Sequence, residues 1–164
     1  MSLYDNKTGL LIILLKLITP GELNMSSQAA EIAEENEART YKVARKSNPK
    51  IVQGRRNFFK YVDLGVTEGS QGQMRVQKTS ATAGLSEPTG WHYHKCEGQF
   101  VYMLDGWLEL EFADGETIHL EEGDSVYIPG YLPHNEIRTS DEFELLEFSV
   151  PAEMGTDVCE PPTK

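Results

Sequence analysis

Over residues 99–128 apolar and polar side chains alternate with a period of two, and turn sequences interrupt the alternation at short intervals. Leu108, Leu110 and Phe112 fall on one face of such a strand and Glu109 and Glu111 on the other; Ile118 and Leu120 continue the pattern. Asp105-Gly106, Asp114-Gly115 and Gly123-Asp124 mark reversals, because Gly, and to a lesser degree Asp, accepts the left-handed backbone that tight turns need. Further strands are expected over 58–64, 73–79 and 143–150. Short half-buried strands with turns every 8–10 residues predict an all-β sandwich or barrel. The long helical segments that an alternating α/β chain requires are lacking.

A second constraint is the run Trp91-His92-Tyr93-His94. In a strand, residues i and i+2 share a face, so His92 and His94 point into one space. His134 follows later, after Pro129-Gly130, and three of the chain's four histidines fall into this pattern. Two imidazoles on one strand face, with a third from another strand, suit a divalent transition metal. Neutral imidazole binds such an ion and leaves positions open for water or substrate. Taken alone, the pair also reads as two surface histidines on an edge strand; Gln99, Gly106, Gly123, Pro129 and His134 carry it further. His119, between Ile118 and Leu120, falls on the opposite face and reads as a surface histidine.

These residues resemble the two sequence motifs of the cupin superfamily, over roughly residues 72–150. The first motif is matched at His92, His94, position 99 and Gly106, the second at Gly123, Pro129 and His134. The interval between them holds one hairpin, as in small single-domain, RmlC-like jelly-roll cupins. The resemblance implies an all-β double-stranded β-helix (cupin jelly roll) that holds one divalent transition metal ion: Fe, Mn, Zn, Ni or Cu. Its implied ligands are His92, His94, Gln99 and His134. The family's usual glutamate is Gln99 here, and the nearby Glu97 leaves the choice of fourth ligand open. An amide oxygen in place of a carboxylate would leave the metal one more unit of positive charge. The glycine that opens the first motif would fall at Ser86, between Gly84 and Gly90. In the second motif the glycine position is Tyr131, with Gly130 one place early, and the asparagine position is Arg138.

With His134 facing inward, period two brings Glu136 and Arg138 inward with it. Both are candidate substrate-binding residues, Arg138 as a two-pronged clamp on a carboxylate. An Arg138–Glu136 or Arg138–Glu147 ion pair at the barrel rim is the competing reading. Two function classes follow from the resemblance. One is a metal-dependent enzyme, a dioxygenase or an isomerase of a small organic acid or carbonyl compound. The other is a non-catalytic cupin that binds a small ligand, as a sensor or store. The fold hosts both.

At 164 residues one domain is expected. The net charge of −11 opposes binding to nucleic acid or to an anionic membrane surface. Two cysteines, Cys96 and Cys159, make no disulfide framework and suit a cytoplasmic protein. Cys96 reads as a packing residue in the turn before Gln99, or as a soft ligand or redox-sensitive thiol. The apolar run 10–15 is too short to cross a bilayer, which takes ~20 residues, so residues 1–24 are expected to be a non-native or disordered leader. Residues 25–50 are expected to form an N-terminal helical extension, with a helix over 26–46, its acidic residues early and its basic residues late. The cupin domain is expected over 51–152 and a wrapping or disordered tail over 153–164. Phe58, Phe59 and Trp107 offer a surface for a homodimer.

Overall fold

The computed structural model describes residues 29–30, 41–54, 56 and 58–163. Contacts divide the chain into residues 1–40 and 41–164. Of the first unit, Ala29 and Ala30 are described and are helical; the rest, with the expected leader, lies outside the described residues. The helix expected to continue to Lys46 does not. Residues 41–44 have no regular structure, and Arg45 and Asn48 close an isolated bridge. Tyr41 is 90% exposed, and a helix with no buried apolar face lacks the packing that stabilises short helices in water. No helix among the described residues is long and apolar enough to cross a membrane.

The second unit is built almost wholly of antiparallel strands. They are β1 (Lys50–Val52), β2 (Lys60–Asp63), β3 (Arg75–Ala81), β4 (His92–Lys95), β5 (Gly98–Asp105), β6 (Trp107–Phe112), β7 (Thr117–Glu121), β8 (Ser125–Pro129), β9 (His134–Thr139), β10 (Phe143–Val150) and β11 (Gly155–Val158). One sheet runs β1-β2-β3-β10-β5-β8 and the other β11-β4-β9-β6-β7. Consecutive strands alternate between the sheets often enough to roll them face to face, as in a jelly roll.

The alternation predicts which side chains line the interior. Val101 and Met103 of β5, Leu108 and Leu110 of β6, Leu120 of β7, Ile128 of β8, and Phe143 and Leu145 of β10 form one buried cluster. Each such side chain contributes about 1.5–3 kcal/mol by leaving water. Val101, Leu108, Leu110, Ile128, Phe143 and Leu145 of this cluster also line the cavity described below, together with polar residues. Gly106 turns β5 into β6 with φ +72°, a conformation that favours glycine. Gly130 is required for a different reason: a Cβ there would collide with the carbonyl of Cys96.

Of the two forms expected for the tail, wrapping or disordered, residues 155–158 take an ordered one that the sequence did not mark as a strand. Gly155–Val158 forms β11, paired along its length with β4, so that Thr156 lies opposite His94. Its side chains carry no apolar alternation because it is an edge strand whose order comes from the backbone ladder.

Candidate metal centre

Burial along β4 alternates, and it places His92 and His94 inside at 0% and 6% exposure. His134 opens β9 at 1% exposure and is the direct register partner of His92. Strand period and strand pairing therefore suffice to bring the three rings together. Ring centroids lie 4.4 Å apart for His92–His134, and 5.1 Å apart for both His92–His94 and His94–His134. One nitrogen from each ring lies within 4.8 Å of the others.

The outer nitrogens orient the rings, and for His92 and His134 they fix which nitrogen donates. His92 Nδ1 lies 2.7 Å from the Gly90 carbonyl and His134 Nδ1 lies 2.9 Å from the Leu132 carbonyl. A carbonyl only accepts, so both Nδ1 atoms donate, and Nε2 of each ring carries the lone pair. His94 Nδ1 is held by Thr156 Oγ1 at 2.8 Å. With Nδ1 of all three rings engaged, the three rings turn their remaining nitrogens toward one space, which is the outer-shell arrangement of metal-bound histidine.

Gln99 comes from the opposite sheet. It is 7% exposed, and its Oε1 is buried with no hydrogen-bond partner among the described residues. An unsatisfied buried amide oxygen costs about 1–3 kcal/mol, and a cation is the partner that would relieve it. The donor set thus fits a divalent transition metal: three nitrogens and one oxygen, all neutral. Glu97 is exposed and drops out as the alternative ligand. Cys96 is buried and stands apart from the histidine group; burial pushes its thiol up, which keeps it protonated.

The candidate centre opens on a cavity of about 300 Å³ between the sheets, lined in part by His94, Gln99, His134, Glu136, Glu147 and Arg75. Glu136 faces it, as period two predicts. Its carboxylate accepts from the Thr89 hydroxyl and lies 3.7 Å from His92 Nε2. Burial works to raise Glu136, but electrostatic interaction with His92 and His134 and the Thr89 hydrogen bond hold it below the usual carboxylate range. Glu147 goes the other way. Burial raises it, repulsion from Glu136 adds, and Arg75 only partly opposes.

Arg138 is a correction. It points outward, its side chain 69% exposed, and Nε donates to Glu109 Oε2 at 2.7 Å. Neither expected ion pair forms. Glu109 pairs with Arg138 and Leu110 with Glu136, so Ile137 is an extra residue in β9. This β-bulge flips the phase of everything after it, and Thr139 takes the inward place instead. Cavity residues not anticipated include Thr156, Arg75 and Gln77. Glu147 was legible as inward-facing, because it shares the phase of Phe143 and Leu145 on β10.

Residues 82–150 match the family model described as Cupin domain. Over those residues the chain carries a cupin domain. Solved structures with the same fold include the polyketide cyclase RemF from Streptomyces resistomycificus, at 19% identity over 75% of this chain and 90% of that one, with a TM-score of 0.59. KdgF from Halomonas sp. aligns at 17% identity over 70% of this chain and 96% of its own, with a TM-score of 0.58. An RmlC-like cupin from Shewanella frigidimarina aligns at 18% identity over 70% and 94%, with a TM-score of 0.53. No curated protein matches the sequence. Likeness at these identities establishes the fold. The cupin's departure in its second motif also has a structural counterpart. Tyr131 stands at the glycine position and still adopts the left-handed conformation, φ 63°. Its backbone N–H donates to the His94 carbonyl at 2.9 Å, tying that turn to the metal strand.

Proposed function

We propose that this cupin is a metal-dependent enzyme that acts on a small organic acid or carbonyl compound. His92, His94, His134 and Gln99 would hold one divalent ion, Fe, Mn, Zn, Ni or Cu. The observation that carries the reading is the orphaned Gln99 Oε1 opposite three histidines oriented through Nδ1, at the wall of a cavity sized for a small molecule. An ion bound by four neutral donors keeps its full charge, and so supplies Lewis-acid polarisation of a substrate oxygen. This favours isomerase-type chemistry over dioxygenase chemistry.

The chain's own residues do the rest. Phe59, Leu108 and Phe143 give the cavity apolar lining that would exclude water, and Arg75, Gln77 and Thr79 give it polar lining that would orient the substrate. Glu136, held ionised beside the histidines, would balance charge there. RemF, a polyketide cyclase, shows that this fold carries enzymes. The test is turnover by metal-loaded protein of a panel of keto acids and diketones, with oxygen uptake recorded in parallel. Oxygen consumption would move the reading to a dioxygenase. Binding without turnover under any metal would make the protein a ligand-binding cupin.

We also propose a cytoplasmic homodimer. Of the expected interface aromatics, Phe58 is exposed, Phe59 packs edge-on against Phe143, and Trp107 stacks with His119. A sedimentation mass equal to one chain rejects the dimer.

A further inference from the structure

Glu147 sits on the inward face of β10, two positions from Ser149, which is the register partner of Gln99. Diagonal neighbours on one sheet face have Cβ atoms roughly 7–8 Å apart, a separation one small substrate spans. Its contacts are lopsided. Arg75 Nη2 donates to Oε1 at 2.7 Å, and Gln77 Nε2 donates to the same oxygen at 3.1 Å. Oε2 has no hydrogen-bond partner among the described residues, and Arg75 Nε is buried without an acceptor. A guanidinium–carboxylate pair built for stability is commonly two-pronged, each donor on its own oxygen. Here two donors clamp one oxygen and leave the other bare in a residue that lines the cavity. A buried ion pair also gains little over apolar packing, so its place beside a candidate centre calls for a use.

We propose that Glu147 is the acid–base residue of the reaction at this centre, moving a proton to and from a carbon next to a substrate carbonyl. The proposal rests on the metal-enzyme reading above and deepens it to proton-transfer chemistry on enolisable carbonyl compounds. In the forward step Glu147 Oε2 takes a proton from the α carbon. The C–H electron pair becomes a C=C bond, and the carbonyl π pair moves onto oxygen as an enolate. Glu147, now a carboxylic acid, returns a proton to that carbon or to the far end of a conjugated enolate. Atoms and electrons balance, and no oxidant is consumed. The groups facing Glu147 are Arg75 and Gln77 from β3, Glu136 from β9 and Tyr61 from β2. Burial and Glu136 outweigh Arg75 and shift the carboxyl upward, toward the pH at which an acid–base group works best.

The test is deuterium uptake by pyruvate, 2-oxobutanoate and dihydroxyacetone in D2O, followed by mass spectrometry with the metal-loaded full chain. The wild type is expected to label at least one probe, with a rate that rises through the Glu147 titration. Glu147→Gln is expected to slow labelling by about 100-fold or more at unchanged metal affinity. Glu147→Asp is expected to retain part of the rate with a displaced pH midpoint, which a merely structural residue would not do. Absence of labelling by the metal-loaded wild type, or labelling by Glu147→Gln at the wild-type rate, overturns the proposal. If Glu147→Gln does not fold, Glu147→Asp at the wild-type rate and pH midpoint overturns it equally. Failure of the metal reading is separate: it appears in the metal titration, before any exchange is measured.

Discussion

Thr156 Oγ1 lies 2.8 Å from Nδ1 of His94, across the pairing of β11 with β4. The C-terminal edge strand therefore orients a ligand of the candidate centre. Thr156→Val keeps the shape and the backbone ladder and removes the hydroxyl. It is expected to weaken metal binding by about 10–100-fold, as loss of outer-shell partners does, while the far-ultraviolet circular dichroism stays unchanged. Isothermal titration with Zn²⁺ or Mn²⁺ checks this; unchanged affinity would detach β11 from the site.

Gln99 sets stability against function. Its buried Oε1 is unsatisfied in the metal-free chain, so Gln99→Leu, similar in volume, is expected to stabilise that form by about 1 kcal/mol. The same change removes the oxygen ligand, so the further stabilisation that metal adds to the wild type should shrink. Urea denaturation with and without metal measures both effects. A Gln99→Leu protein less stable without metal, or equally stabilised by metal, would contradict the assignment.

Glu147 gives stability a pH signature. Its ordinary value is 4.5, and burial raises it in the folded state. The folded state then binds the proton more tightly than the unfolded one. The resulting stabilisation is full below the ordinary value and is lost as pH rises through the raised one. Asp63, lowered chiefly by its hydrogen bond from Lys50, acts with the opposite sign, below the ordinary carboxylate range. Denaturation of wild type and Glu147→Gln at a series of pH values should show the decline above 4.5 in the wild type alone. Parallel curves in that window would refute the shift.

Tyr131 carries backbone strain. A left-handed conformation costs a non-glycine residue about 1–2 kcal/mol, and glycine gives back part of that gain in unfolded-state entropy. The ring is 63% exposed and meets Tyr93 at 5.9 Å between centroids, so little packing is lost. Tyr131→Gly is expected to stabilise the fold by about 0.5–1 kcal/mol, read from the urea midpoint. A clear loss of stability would show that the ring does more than its exposure suggests.

Which parts were legible in the sequence follows from what each element asks of its side chains. Where a strand buries one face, period two announces it, as at Leu108 and Leu110 or at Phe143 and Leu145. The same rule put His92 and His94 together, while Gln99 was picked out by the resemblance to the cupin motif. Arg138 failed because one unpaired residue, Ile137, reverses the phase, and a bulge leaves no composition signal there. β11 was missed because an edge strand needs its backbone more than its side chains. Tyr131 hid a left-handed turn by occupying it without glycine, and only the neighbouring Gly130 hinted at the bend.

Metal stoichiometry tests the central claim most directly. Untagged wild type and the His94→Ala and His134→Ala variants, each loaded with Zn²⁺ or Mn²⁺ and then exhaustively dialysed, are analysed for bound metal per chain. One ion per chain in the wild type, and none retained by either variant at matched folding, is the predicted result. A wild type that keeps no metal, or variants that keep as much as the wild type, would contradict the account.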